Sequence, residues 1–269
     1  MCRRKMRDPR TPRFYRPVRP MLIFRPYGGG MDITHFGHSA LLLSYAGEGG
    51  ADACRILIDP GNLSDPRITE LIDLDAIAVS HQHPDHAHPP FLEQLFENNP
   101  EATIILESQT ASVLSEAPET SRFRERFTPL APGGRASVGT LPVTVRAVGG
   151  AHATIHPAIP PVGNVAFIVE APGERTFAHT GDSLVPHPDL MGVDVLSFPV
   201  VAPWSKMQET IDFLRIVKPS VAIPVHDRVA SAQGRAIYLK QSRENAPEEC
   251  EVRDWPADAE AEDGRTLRF

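Results

Sequence analysis

Short apolar runs separated by polar turns fill the chain from Met31 onward, which is the pattern of β-strands joined by loops. The first two runs are separated by a turn around residues 47–52. The pattern predicts strands at residues 40–45, 55–58, 76–80, 102–106, 143–148, 165–170, 176–178, 194–198 and 221–225.

Helical spacing of apolar residues appears in two stretches between these runs. Residues 91–98 begin just after Pro89-Pro90, and their apolar positions are Phe91, Leu92, Leu95 and Phe96. Residues 207–217 form an amphipathic helix that Pro219 stops, and its apolar side carries Met207, Ile211, Leu214 and Val217. A third helix is predicted at 235–242. Strands that come first and then alternate with helices predict a layered α/β domain.

Residues 1–30 have a different pattern, because basic residues and prolines alternate through them. Such a segment lacks the apolar residues of a packed helix or strand, so we predict a disordered basic extension before a folded domain at 31–269. One interpretation is an arm for nucleic acid or an anionic partner. The other, which we favour, is an upstream extension that takes no part in the fold.

Composition narrows the class of protein further. With 269 residues, 41% of them hydrophobic, the chain is long enough for one large domain with a full core. A net charge of -7 argues against nucleic acid as the main partner. No apolar run reaches the roughly 18 residues of a membrane span, and the run at 21–24 is too short for a signal peptide. Cys2, Cys54 and Cys250 are far apart, which predicts no disulfide framework and a cytoplasmic location.

The strongest chemical signal is the heptapeptide Ser80-His81-Gln82-His83-Pro84-Asp85-His86, directly after a predicted strand. His81 and His83 point the same way in extended backbone, and Asp85 and His86 can turn toward a neighbouring site. One loop can thus serve two ions, which in two-metal sites lie about 3.5–4 Å apart. Three later candidates, each after a predicted strand, are His152, Asp182 and His226.

These residues resemble the metallo-β-lactamase superfamily, whose H-x-H-x-D-H motif is matched by His81, His83, Asp85 and His86. The family's later His, Asp and His are matched in order by His152, Asp182 and His226. Within it, residues 34–39 and 56–60 look like the branch of small hydrolases related to ascorbate-6-phosphate lactonase. The resemblance covers about residues 31–236 and implies a four-layer αββα sandwich, with the metals at one edge of the two sheets.

The resemblance also implies roles for the seven residues. His81, His83 and His152 would hold a first divalent ion, Asp85, His86 and His226 a second, and Asp182 would bridge both. Zinc is expected, with manganese and iron as alternatives. A metal-bridging hydroxide would cleave a small ester, lactone, amide or phosphodiester, with Asp85 and Asp182 as the catalytic carboxylates.

Other residues near the motif have a functional and a structural interpretation. Five residues are expected either to hydrogen-bond a metal ligand or to contact the substrate: Asp59, His156, Asn164, His179 and Lys206. His35 and His38 can shape the pocket or be hydrogen-bonded in the core, and His88 and His187 receive no role.

Two further functions remain open from the sequence. The same ligands can hold iron for redox chemistry on oxygen, nitric oxide or a persulfide. The chain can also be a non-catalytic module that binds metal, or binds nucleic acid through its basic arm. The expected partner is a small-molecule substrate, no membrane partner is expected, and the oligomeric state stays open.

Overall fold

The computed structural model describes residues 30–46, 52–139, 141–256 and 265–269. The predicted basic extension, apart from Gly30, lies outside the described residues, so its two interpretations stay predictions. The described part of the chain forms two seven-stranded sheets that pack face to face. Their strands are β1 Met31–His35, β2 Leu41–Ala46, β3 Asp52–Ile58, β4 Ala76–Val79, β5 Thr103–Glu107, β6 Phe127–Leu130, β7 Arg135–Ser137, β8 Thr144–Gly149, β9 Val165–Glu170, β10 Phe177–His179, β11 Val195–Pro199, β12 Val221–Val225, β13 Glu251–Val252 and β14 Arg265–Arg268.

The first sheet has the strand order β14-β1-β2-β3-β4-β5-β6. Its β14, β1, β2 and β3 pair antiparallel, and β3 to β6 pair parallel. The second sheet has the order β13-β12-β11-β10-β9-β8-β7. Here β7 to β10 pair antiparallel and β10 to β13 pair parallel. Each sheet therefore has a parallel half, in which loops gather at the carboxyl ends of neighbouring strands.

Helices cover the outer face of each sheet. They are α1 Pro89–Asn98, α2 Ser108–Glu116, α3 Met207–Val217 and α4 Ala232–Asn245. Shorter 3-10 helices lie at Pro66–Glu70, Ser121–Arg126 and Pro188–Leu190. The described helices include none that is long and apolar enough to cross a bilayer.

Three apolar clusters hold these layers together. The central one joins the inner faces of both sheets and includes Ile56 of the first sheet and Phe167 of the second. A second lies under α1 and α2, around Phe96, and a third lies under α3 and α4, around Phe213. Helix, sheet, sheet and helix thus form four layers, which confirms the predicted αββα sandwich.

Most predicted elements are present, and the missed ones are stabilised by contacts that leave no apolar pattern in the sequence. Helix α2 has a polar sequence, and it begins because the Glu107 carboxylate accepts hydrogen bonds from the N–H groups of Gln109 and Thr110. Strand β1 is stabilised by pairing with both β2 and β14. Strands β6, β7 and β13 are four residues or shorter, and they also depend on a neighbouring strand.

Candidate metal centre

The loop after β4 turns sharply, and its backbone is tied down on both sides. His83 O accepts hydrogen bonds from the N–H groups of His86 and Ala87, at 2.9 and 2.8 Å. Gly61 lies so close that a Cβ there would come within 1.8 Å of Asp85 O. The loop therefore holds its histidines in one orientation, against a neighbouring segment that has room only for glycine.

The other three predicted residues follow strands of the second sheet. His152 comes after β8 and the pair Gly149-Gly150, and Asp182 comes after β10. His226 directly follows β12 and has φ of 60°, a left-handed conformation that is unfavourable for most side chains. His38 and Asp59 also have positive φ, so strained backbone is concentrated around these residues.

The structure brings all seven predicted residues into one cluster, with Asp182 between two groups. His81, His83, His152 and Asp182 offer ligand atoms within 4.8 Å of one another, and so do Asp85, His86 and His226 together with His38. Asp182 Oδ2 lies 3.2 Å from both His152 Nε2 and His226 Nε2. Asp182 Oδ1 lies 3.1 Å from His86 Nε2. One carboxylate therefore contacts histidines of both groups.

The hydrogen bonds of Nδ1 show which ring nitrogen of each histidine faces away from the cluster. His86 Nδ1 contacts the Asp59 carboxylate at 2.7 Å, and His226 Nδ1 contacts Val201 O at 2.9 Å. His152 Nδ1 contacts Ala153 O. These oxygens only accept, so Nδ1 carries a proton, and Nε2 of each ring faces the Asp182 carboxylate. Burial opposes it, but the Asp182 and Asp59 carboxylates hold the pKa of His86 well above its usual value, so a cation at His86 Nε2 would have to displace a proton.

His81 follows the same rule through Ser80. Ser80 Oγ donates to Asp59 Oδ2 at 2.6 Å, so it accepts from His81 Nδ1 at 3.0 Å. Burial holds the pKa of His81 well below its usual value, which keeps the ring neutral. Four histidines thus direct their Nε2 atoms into one small volume.

The inner atoms of the cluster fit divalent cations. Buried atoms without a hydrogen-bond partner include His81 Nε2, His86 Nε2, His226 Nε2 and Asp182 Oδ1. Leaving buried polar atoms unsatisfied costs about 1–3 kcal/mol each, and coordination to a cation is the arrangement that would satisfy all of them together. Imidazole and carboxylate are the donor set that zinc, manganese and iron accept.

Asp59 supports the cluster from behind. It is fully buried and accepts hydrogen bonds from Ser80 N, Ser80 Oγ, His86 Nδ1 and His179 Nε2 at 2.6 to 2.8 Å. Burial would raise its pKa, but His179 and His86 outweigh burial and hold the pKa of Asp59 below its usual range. His179 in turn contacts Ser197 Oγ at 2.7 Å. The strand ends of both sheets are therefore linked through one carboxylate.

The remaining predicted residues differ in position. Asn164 is buried, and its Oδ1 accepts from Asp182 N at 2.9 Å while its Nδ2 donates to Thr180 O at 3.1 Å. His156 is exposed, and its Nδ1 accepts from Ala158 N within its own loop. Lys206 is exposed at the start of α3, where its backbone N–H donates to Glu209. Asn164 therefore braces Asp182, whereas His156 and Lys206 lie outside the cluster.

Two residues of the site received no specific role from the sequence. His38 Nδ1 accepts from Arg228 N at 3.3 Å, so its Nε2 carries the proton and donates to Asp85 Oδ2 at 3.1 Å. Half-buried Trp204 donates its indole N–H to Asp182 Oδ2 at 2.9 Å. A tryptophan just after a strand of the second sheet, beside a predicted substrate residue, was the available signal for the second contact.

Comparisons with known proteins agree with this architecture. Residues 32–226 match the family described as the beta-lactamase superfamily domain. Protein Rv0786c of Mycobacterium tuberculosis is 39% identical over 210 residues, which cover 77% of this chain and 89% of that protein. A UPF0173 metal-dependent hydrolase of Archaeoglobus fulgidus is 32% identical over 217 residues, 73% of this chain and 83% of that protein.

Among solved structures, the metallo-beta-lactamase fold protein YhfI of Bacillus subtilis superimposes with a TM-score of 0.62 at 18% identity. The match covers 90% of this chain and 100% of that chain. The sandwich and its histidine-aspartate cluster define the class of metal-dependent hydrolases. The chain belongs to the metallo-β-lactamase superfamily, and the predicted branch within it stays a prediction.

Proposed function

We propose that this metal-dependent hydrolase is dinuclear, uses zinc, and cleaves a small ester, lactone, amide or phosphodiester. The observation that carries the proposal is the set of buried, unpartnered donor atoms at the meeting point of the two sheets, His81 Nε2, His86 Nε2, His226 Nε2 and Asp182 Oδ1. A proton on His86 Nε2 would pair that atom with Asp182 Oδ1 at 3.1 Å, but His81 Nε2 would still lack a partner among the described residues. Bound cations would satisfy the whole set together.

In this proposal His81, His83 and His152 hold one ion, and Asp85, His86 and His226 hold the other. Asp182 bridges them, since its two oxygens contact histidines of both groups. When bound, the ions supply a water that loses its proton near neutral pH and a positive charge that stabilises the developing oxyanion. The hydrogen bonds on each Nδ1 keep the rings oriented as donors.

The residues on the solvent-exposed side of the cluster would orient the attacking water and the substrate. Asp85 is the more solvent-exposed of the two aspartates, with 25% of its side chain exposed, against 3% for Asp182. The N–H of His38 holds Asp85 Oδ2, so this carboxylate is oriented to position the attacking water. Half-buried His83 and Trp204 lie where a substrate would approach.

A short apolar loop supports a substrate with an apolar part. Residues of the loop 153–162 line a cavity of about 40 Å³ together with His83 and His152. Ile155 and Ile159 of this loop are 39% and 46% exposed, although they are large apolar side chains. Pro157, Pro160 and Pro161 restrict the backbone of the loop. A small group on the substrate would therefore pack against these isoleucines, beside the first ion.

The test is to purify the chain without chelators and compare it with His83→Ala and Asp182→Ala. Bound metal would be measured by elemental analysis, and turnover with p-nitrophenyl acetate and bis(p-nitrophenyl) phosphate. His88→Ala is the matched control, because His88 lies near the motif and its ring contacts Phe91 rather than the histidines of the cluster.

We expect zinc in the wild type and in His88→Ala, with hydrolysis reduced about 100-fold or more in the two site variants. Unchanged metal content in both site variants would contradict the ligand assignment. Iron in the purified chain, with oxygen consumption and no hydrolysis, would contradict the proposed hydrolysis and support the redox alternative.

A further inference from the structure

A separate cavity lies beside Asp227, the residue that follows His226 of the second ion group. Its volume is about 390 Å³, within the range of about 300–1,000 Å³ typical of small-molecule sites. It is lined by His35, Phe36, Gly37, Asp65, Arg67, Asp227, Arg228, Ala230, Ala232, Arg235 and Arg265. None of the seven candidate metal ligands contributes to this lining, so the cavity is separate from the cluster.

The charge of this cavity is unbalanced. Four arginines and two aspartates are among the described residues that line it, so guanidinium groups outnumber carboxylates by two in this lining. Arg67 is paired with Asp65 at 2.7 Å. Arg235 is paired with Asp227 at 2.7 Å and also with Asp254, which is outside the lining. Arg228 and Arg265 are the two lining arginines for which the described residues provide no hydrogen-bonded carboxylate.

The Arg228 guanidinium packs against the backbone of Gly37. A Cβ at Gly37 would come within 2.7 to 3.1 Å of three atoms of this side chain, so the guanidinium lies directly against the glycine. Gly37 also has φ of +96°, a conformation that L side chains rarely adopt. The arginine is therefore held against the cavity wall and does not extend freely into solvent.

Other residues of the lining are also fixed. The His35 ring stacks on Trp255, with centroids 4.7 Å apart, and its Nε2 donates to His38 O at 2.9 Å. Asp65 N donates to Phe36 O at 2.7 Å, which ties the segment that carries Asp65 and Arg67 to the same edge. A positive cavity with walls held by hydrogen bonds and stacking is preformed for a ligand.

We propose that this cavity binds a small organic phosphate, with the phosphate group on Arg228 and Arg265. A phosphate monoester carries nearly two negative charges, which matches the two guanidinium groups that have no hydrogen-bonded carboxylate among the described residues. The planar fork of arginine binds phosphate oxygens in pairs. The volume exceeds what a phosphate group alone requires, so the organic part of the ligand occupies the rest, beside Asp65 and Asp227.

The site goes beyond the proposed hydrolysis and does not need the metal ions. Its test is calorimetric titration of the full chain with glycerol 3-phosphate, with glycerol as the uncharged comparison, in buffer free of phosphate and sulfate. The variants are Arg228→Ala, Arg265→Ala and the double variant. Arg215→Ala is the matched control, because Arg215 is an exposed arginine on the outer helix α3. A His83→Ala sample separates binding in the cavity from binding at the ions.

We expect glycerol 3-phosphate to bind and glycerol not to bind. Each arginine variant should weaken binding about tenfold, the loss of one charge-assisted contact. Arg215→Ala and His83→Ala should bind as the wild type does. The proposal is overturned if the wild type binds no glycerol 3-phosphate, if the arginine variants bind normally, or if His83→Ala abolishes binding. Equal melting temperatures of the arginine variants and wild type exclude misfolding as the cause.

Discussion

The indole N–H of Trp204 donates a 2.9 Å hydrogen bond to Oδ2 of Asp182, the carboxylate that contacts both histidine groups. The ring also lies 5.8 Å from that of His152 and 6.1 Å from that of His226. Trp204 is half-buried, so one side of the indole supports the cluster and another is open to solvent. This places an aromatic surface where the substrate of the proposed reaction would approach.

Trp204→Phe keeps the aromatic bulk and removes the donor. We expect zinc affinity to fall about 10- to 100-fold, as is typical when a partner of a metal ligand is lost. A chelator competition titration measures this change. Trp255→Phe is the control, because Trp255 is the second tryptophan of the sequence and its indole N–H donates to Pro224 O, away from Asp182. Its ring stacks on His35. Equal zinc affinity in Trp204→Phe and wild type would show that this hydrogen bond does not support the site.

His38 is expected to act on Asp85 as a donor and not as a ligand. Its Nε2–H contacts Asp85 Oδ2, and burial lowers its pKa to about 4 despite that hydrogen bond. His38→Ala should therefore reduce kcat more than metal content, because both ion groups keep their ligands. His38→Gln, which restores a donor, should recover part of kcat. Loss of one ion per chain in both variants would instead make His38 a ligand.

Gly61 and Gly234 predict opposite effects of the same substitution. Gly61→Ala would push a methyl group into Asp85 O, so the loop after β4 must move. We expect a loss of about 2–4 kcal/mol in the free energy of unfolding, together with weaker metal binding. Gly234 lies in α4 with ordinary contact distances, so Gly234→Ala should stabilise the protein by about 0.5–1 kcal/mol. Chemical denaturation measures both, and an unchanged Gly61→Ala protein would contradict the described packing.

The thiol of Cys54 gives a pH-dependent prediction remote from the metal centre. Burial, with a smaller contribution from Asp75, raises its pKa to about 12. The folded state therefore keeps the thiol neutral, and its stabilising contribution is complete below the ordinary pKa and is lost as pH rises from about 9 toward 12. In a Cys2→Ser background, native protein at pH 8 should not react with a disulfide reagent, because Cys250 is buried as well. Rapid labelling without denaturant would contradict this burial.

The fold and the cluster differ in how far the sequence predicts them. Strand β12 is buried along its whole length, so its apolar run Val221–Val225 is visible in the sequence. The loop at residues 81–86 is equally visible, because four candidate ligands lie within six positions. Trp204 and His38 are different: each reaches its aspartate, Asp182 and Asp85 respectively, from another loop of the same sheet, 22 and 47 residues away along the chain. Long-range pairing of this kind leaves no local pattern.

The same limit applies to the cavity that contains Arg228. Gly37, Arg228 and Arg265 are far apart in sequence, and strand β14 is recognisable only by its pairing with β1. Polar helix α2 depends on a single cap at Glu107. Apolar periodicity thus predicts the layers of this protein, whereas tertiary contacts between strand ends determine the details of its sites.

The division of the cluster into two ion sites is tested most directly by counting ions per chain with native mass spectrometry. We predict two ions in the wild type and one in His83→Ala, which removes a ligand of the first site only. His226→Ala should also keep one ion, and Asp182→Ala should lose affinity for both. A wild-type chain that binds no ion, or single-site variants that still bind two, would contradict the account of a dinuclear centre shared by Asp182.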